Sequence, residues 1–186
     1  MKKVTFVTGS DRKIRHMRKA CEAFNITVEQ QVFDVDEIQS HDPIKISEHK
    51  IAEAFARTNG QPTVINDAFW NIPALNGFPG GYMKDVIEWF TAQDWLDLMA
   101  NKTDRRICCT ETLIYKDANQ TKTFTKDYWF EIIAGPPRGQ GLSMEQVVST
   151  DGGELTIAEE HDNPKSSYTV EKYIWHDFAV WFSAQK

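Results

Sequence analysis

A chain of 186 residues, 41% hydrophobic and 26% charged, is long enough for one compact domain with a packed core, and this composition excludes disorder as the default. A formal net charge of −6 argues against broad nucleic-acid binding, although it leaves room for a local basic pocket around one polyphosphate. Cys21, Cys108 and Cys109 show no zinc-binding spacing, and the opening MKKVTFVTGS lacks the roughly 7–15 apolar residues of a secretory signal. With no stretch of membrane-spanning length, the expectation is a cytoplasmic protein with reduced cysteines and no membrane partner.

In chain order, Val4–Thr8 reads as a buried strand that Gly9 and Ser10 interrupt, with Asp11 opening a helix. Ile14, Met17, Cys21 and Phe24 recur at helical spacing, and residues 26–33 alternate as a second strand. Strand, glycine turn, helix and strand in succession predict an α/β fold. A polar loop, 34–42, leads to Pro43 near the start of a helix that ends around Gly60, with Ile46, Ile51, Ala54 and Phe55 as its apolar stripe. Residues 63–65 read as a short strand ending at Asn66-Asp67. Turn residues fill 74–81, and helices are expected over 82–90 and 93–99. Residues 106–115 and 121–133 predict a long hairpin about the turn 117–120. A loop with Pro136, Pro137 and Gly139 follows. Residues 165–184, with Tyr168, Tyr173, Trp175, Phe178 and Trp181, are expected to close the chain as a helix. There is no internal repeat and no linker, so residues 1–186 are expected to form a single domain.

Three groups of residues point to chemistry. Thr8-Gly9-Ser10-Asp11-Arg12-Lys13 lies where a strand turns into a helix. Glycine there admits a ligand close to the backbone, and the helix N-terminus attracts anions. Such turns are common in α/β proteins, so this one alone identifies no ligand. Asp34, Asp36, Glu37 and Asp67 follow predicted strands, whose ends gather in one crevice of a parallel sheet. Two such carboxylates suit one Mg²⁺ completed by phosphate oxygens, or are simply solvated loop acids. Lys50 and Lys84 stand apart in sequence, and each taken singly reads as surface charge. His16, His41, His49, His161 and His176 show no metal spacing, and Cys108 and Cys109 have no histidine nearby in sequence to activate them.

Together these segments resemble the inosine triphosphate pyrophosphatase (Ham1-like) family. Thr8-Gly9-Ser10-Asp11-Arg12-Lys13 resembles its opening T-G-N-x-x-K, and Asp34-Val35-Asp36-Glu37-Ile38-Gln39 its acidic loop. Ile65-Asn66-Asp67 resembles the acidic motif, and Leu75-Asn76-Gly77-Phe78-Pro79-Gly80-Gly81-Tyr82-Met83-Lys84 the glycine-proline loop. Order and spacing agree over about residues 4–100. The resemblance implies a long central mixed sheet with flanking helices, two lobes around an active-site cleft, and a homodimer. It implies Glu37 and Asp67 as Mg²⁺ ligands, with Asp67 also the catalytic carboxylate. Thr8, Gly9, Ser10, Lys13, Lys50 and Lys84 are implied as phosphate contacts. The implied substrate is a deaminated or otherwise modified purine nucleoside triphosphate such as ITP, XTP or dITP, cleaved to the monophosphate and pyrophosphate.

The second half matches less closely. Pro137-Arg138-Gly139 resembles a P-R-G element, which makes Arg138 a candidate for base or phosphate contact or for capping a loop. Where the family has an aromatic-glycine-aromatic-Asp-Pro stretch, this chain has Leu142-Ser143-Met144-Glu145-Gln146, with Glu145 standing in for the aspartate. Ala158-Glu159 and Lys165 fit late family positions, and Lys165 is a further substrate-binding candidate. The family's Ser-His-Arg is absent, with Thr169-Val170-Glu171 in its region. Each lost stacking or hydrogen-bonding contact to a purine is worth about 1–3 kcal/mol. Rebuilt base specificity, and a nucleotide-binding module without hydrolysis, therefore stand as alternatives.

Overall fold

The computed structural model describes residues 2–36, 38–150, 152–161 and 169–185. It contains β1 (Lys2–Val7), α1 (Asp11–Glu22), β2 (Ile26–Gln31), α2 (Pro43–Arg57), β3 (Thr63–Ile72), β4 (Phe78–Gly80), α3 (Met83–Trp89) and α4 (Ala92–Leu98). β5 (Arg106–Lys116), β6 (Thr121–Ile132), β7 (Val148–Ser149), α5 (Ile157–His161) and α6 (Ile174–Ala184) follow. The strands make a mixed sheet in the order β2-β1-β3-β5-β6-β7, with β4 beside β3. β1 runs parallel to β2 and β3, while β3/β4 and β6/β7 are antiparallel. This is the α/β architecture expected, with helices flanking a mixed sheet.

Two compact units divide the chain, and their boundaries fall inside strands. Residues 1–68, 111–126 and 169–186 form the first. There α1 turns Ile14, Met17, Ala20 and Cys21 toward Val4, Phe6, Leu113, Trp175 and Phe178. A second cluster in this unit joins Val7, Ile65 and Ile114 to Ile51 and Ala54 of α2. Residues 69–110 and 127–168 form the other unit, whose core holds Trp95, Met99, Ile107, Ile132 and Val147. No helix of the described residues is long and apolar enough to cross a membrane.

The helix starts follow the cues in the sequence. Ser10 caps α1 by accepting from Lys13 N at 3.3 Å, and Asp42 caps α2 by accepting from Ile44 N at 3.0 Å, with Pro43 in the first turn. The turn between β5 and β6 closes where expected, with Asp117 Oδ1 accepting from Asn119 N and Gln120 N.

Several expectations need correction. β3 does not stop at Asn66-Asp67 but runs on to Ile72. These two polar residues are turn formers only where water can reach them. Here both are buried and partnered, so the strand continues. α2 ends at Arg57, and Asn59 and Gly60 then take left-handed conformations. The segment 74–81 is not wholly loop, because Phe78–Gly80 pairs with Trp70–Ile72. The closing helix starts only at Ile174, after a 3₁₀ turn over Val170–Lys172. Residues 165–168 lie outside the described residues.

Candidate active site

The first unit brings together the turn after β1, α1, α2, β3 and β5. Thr8 Oγ1 accepts from Ser10 N at 3.1 Å and Thr8 N donates to Gln31 O at 3.0 Å, which fixes the turn against β2. Gly9 sits there without a left-handed backbone, and an added Cβ would meet only Val32 Cγ1, at 3.8 Å. The turn itself therefore does not demand glycine, and the position is open to a ligand at the head of α1.

Asp67 is 8% exposed in the interior of β3, not at a strand end. Its Oδ2 accepts from Ser47 Oγ at 3.0 Å and its Oδ1 from Lys50 Nζ at 2.6 Å. Ser47 and Lys50 are one helical turn apart on α2, so both reach the same carboxylate. An ion pair this enclosed requires its hydrogen bonds, because a lone buried charge is costly. Each oxygen keeps a lone pair beyond these bonds.

Lys13 extends from the first turn of α1 and donates from Nζ to Asn66 O at 2.8 Å. Burial pushes its pKa down; the carboxylate of Asp67 pulls it back up, Lys50 lowers it, Glu111 raises it, and Arg12 lowers it. Lys13, Lys50 and Asp67, each a site candidate from the sequence, thus lie in one charged group. Asp67 reaches the lysines from mid-strand.

Glu37 lies outside the described residues. Its neighbours are tied to α2: Asp36 N donates to Glu53 Oε2 at 3.0 Å, Arg57 Nη1 donates to Asp34 O at 2.8 Å, and Arg57 pairs with Glu53 at 2.7 Å. The chemistry of Asp67, a hard oxygen donor with spare lone pairs, fits a Mg²⁺ that takes its other ligands from phosphate and water. Among the described residues no group of three or more His, Cys, Asp or Glu side chains is placed to hold a metal ion.

The remaining candidates lie in the second unit. Lys84 is exposed in the first turn of α3, just after the segment in which Asn76, Gly77 and Gly80 take positive φ. Arg138 Nη2 donates to Gly153 O at 2.8 Å and to Glu154 O at 3.3 Å, and its Nε lies 3.3 Å from Glu159 Oε2. Of the roles open to it in the sequence, the loop cap is the one these bonds describe. Glu145 Oε2 accepts from Leu142 N at 3.2 Å and stands 3.9 Å from His161 Nδ1, so it too braces its own loop. Lys165 lies outside the described residues.

Sequence reasoning missed Ser47 and Glu111. Ser47 was detectable from its one-turn spacing to Lys50. Glu111 was visible as the one acidic residue of β5, but nothing in the sequence places it near Lys13.

A family model described as the Ham1 family matches residues 4–170. The dITP/XTP pyrophosphatase of Methanopyrus kandleri is 26% identical over 181 residues, 97% of this chain and 96% of its own. Inosine triphosphate pyrophosphatase 1 of Trypanosoma cruzi is 30% identical over 166 residues, 88% and 84% of the two chains. The structure of the Staphylococcus aureus Ham1 protein superposes with a TM-score of 0.76 at 19% identity, covering all of both chains. A HAM1 protein from Coxiella burnetii gives 0.74 at 18%, again over both full lengths.

Proposed function

This chain belongs to the Ham1 family, and from that premise we propose that it hydrolyses deaminated or otherwise modified purine nucleoside triphosphates of the ITP, XTP and dITP type to the monophosphate and pyrophosphate. The observation that carries the proposal is the grouping of Lys13, Lys50 and Asp67 within one unit, beside a glycine turn that its own backbone does not require. Two ammonium groups favour the charge of a triphosphate, and a single buried carboxylate supplies the base.

In this reading the backbone of Thr8, Gly9 and Ser10 binds phosphate oxygens at the head of α1. Lys13 and Lys50 neutralise their charge, and the family resemblance assigns Lys84 the same role. Asp67 orients a water and takes its proton as the oxygen bonds to the α-phosphorus. The bond from that phosphorus to the bridging oxygen breaks, and pyrophosphate leaves with the electron pair. Lys50 is shared between Asp67 and phosphate, so its movement from one to the other frees a carboxylate oxygen as substrate arrives. Glu37 and Asp67 would hold Mg²⁺, which supplies charge stabilisation on the departing pyrophosphate. The family resemblance adds Arg138, Glu145 and Lys165 as further substrate-binding candidates, although the bonds of Arg138 and Glu145 are within their own loops. A single domain, a homodimer and a cytoplasmic location are parts of the same proposal.

One observation favours altered base choice. Leu142, in the stretch where the family resemblance implies aromatics, is 52% exposed and offers no ring for stacking. The test is pyrophosphate release with Mg²⁺ across ITP, XTP, dITP, the four common triphosphates and modified purines. Turnover led by ITP or XTP supports the proposal as stated, and turnover led by another base moves specificity and keeps the reaction. Asp67→Asn is expected to lower kcat by about 10²–10⁴-fold, and chelation by EDTA to stop turnover. If triphosphate binds but no base is turned over, the protein is a binding module. Sedimentation equilibrium reads the homodimer directly.

A further inference from the structure

The carboxylate of an aspartate turns about a broad, roughly two-fold torsion, so its plane is set by what its oxygens bond. Asp67 has two such bonds, and they differ in kind: Oδ1 accepts from Lys50 Nζ at 2.6 Å and Oδ2 from Ser47 Oγ at 3.0 Å. Lys50 carries its ammonium on a flexible four-carbon stem, and its side chain keeps 18% of its surface exposed. Ser47 is short and fully buried, set in the second turn of α2 in one stripe with Ile46, Ile51 and Ala54. Burying a hydroxyl among apolar side chains costs free energy that a hydrogen bond offsets. A hydroxyl has one hydrogen to donate, and that of Ser47 is spent on Asp67.

We propose that Ser47 is a positioning residue for the hydrolysis: it holds Asp67 Oδ2 and so fixes the carboxylate plane when Lys50 leaves Oδ1 for phosphate. The inference rests on the reading that Asp67 orients the attacking water and that Lys50 is shared with phosphate. In the free protein both bonds hold the carboxylate. Once substrate draws Lys50 away, Ser47 keeps the one remaining hydrogen bond to it among the described residues. With Oδ2 anchored to α2, Oδ1 stays where Lys50 Nζ met it, and a water takes that place. Without Ser47 the carboxylate rotates, and a misplacement of about 1 Å at a reacting group costs up to about 10²-fold in rate.

The test is a double-mutant cycle on the full chain, with Ser47→Ala, Asp67→Asn and both together, read by pyrophosphate release from the best triphosphate. Ser47→Ala is expected to lower kcat about 10–100-fold, with KM within about threefold of wild type. In the Asp67→Asn background the same substitution should cost less than about threefold, since no carboxylate is left to orient. Calorimetry with inorganic tripolyphosphate in metal-free buffer gives a readout apart from turnover, and Ser47→Ala should bind it within about twofold of wild type. A kcat for Ser47→Ala within about twofold of wild type overturns the inference. So do losses that multiply in the double variant, which mark a merely structural role, and a loss carried wholly by weaker tripolyphosphate binding, which puts Ser47 in binding. If Ser47→Ala does not fold, Ser47→Cys, of similar shape with a weak donor, decides by the same cycle. If Asp67→Asn alone leaves kcat unchanged, or the wild-type chain turns over nothing, the reading of Asp67 falls and takes the inference with it. If Asp67→Asn lowers kcat and Ser47→Ala does not, the inference alone falls.

Discussion

Gly139 and Gly152 both take left-handed backbone, with φ of +79° and +62°, yet only one is enclosed. A Cβ on Gly139 would lie 2.8 Å from Ala158 Cβ and from Glu159 N, and 2.9 Å from Ala158 C, whereas a Cβ on Gly152 meets nothing within 4 Å. Both alanine variants bear the left-handed penalty of about 1–2 kcal/mol. Only Gly139→Ala adds overpacking, about 1–3 kcal/mol, because backbone atoms of α5 cannot swing aside. Urea unfolding should therefore show Gly139→Ala clearly less stable than Gly152→Ala, and equal midpoints would refute the close approach. Cys21 offers a pH test. Burial pushes its thiol up to about 12, above its ordinary 9.0. Its contribution to stability is thus complete below about pH 9 and is lost as pH rises toward 12. At pH 8 Cys21 should resist iodoacetamide in the native protein and react only on unfolding; rapid native labelling would contradict the packing around it. At this scale Lys13, Lys50 and Asp67 were legible because charged residues near turns and in family order stand out. Ser47 was not, since its importance comes from pairing across elements.

Ser10 ties the helix α1 to the proposed phosphate site, because its hydroxyl caps Lys13 N. Ser10→Ala removes that acceptor and should cost about 1 kcal/mol in urea unfolding. Ser10→Asp caps as well as serine and favours the positive end of the helix dipole, so stability should hold or rise. In the proposed function the same carboxylate would stand where the triphosphate enters, so KM for the best substrate should rise at least about tenfold. A stable Ser10→Asp variant with unchanged KM would detach the head of α1 from substrate binding. The starts of α1 and α2 were legible for the same reason they form, since Ser10 and Asp42 each answer an orphan backbone N–H. β3 was misread because Asn66-Asp67 carries a turn signature that burial and partners override. β7, of two residues, and α5, of five, are too short to show a period, and both went unseen.

At the scale of the whole molecule, the two compact units could not be read along the chain, because neither is continuous: the first is assembled from three segments and the second from two. Local patterns report helices and strands, not which distant segments share a core. The boundaries also decide how the protein should unfold. They fall between Ala68 and Phe69 in β3, Thr110 and Glu111 in β5, and Lys126 and Asp127 in β6. Unfolding one unit alone would end three strands in mid-run and strip backbone groups of their partners. Each such group left buried costs about 1–3 kcal/mol. Against a total stability of about 5–15 kcal/mol, that penalty favours one cooperative transition. Phe178→Ala opens the core of the first unit and Trp95→Ala that of the second, each at about 3–5 kcal/mol. Trp95→Ala also leaves Ser143 Oγ without the indole donor it meets at 3.1 Å. Either variant should lower a single midpoint seen alike by tryptophan fluorescence and far-UV circular dichroism in urea. Two resolved transitions, each moved by only one of the substitutions, would show that the units fold separately and that continuity of three strands does not bind them into one cooperative structure.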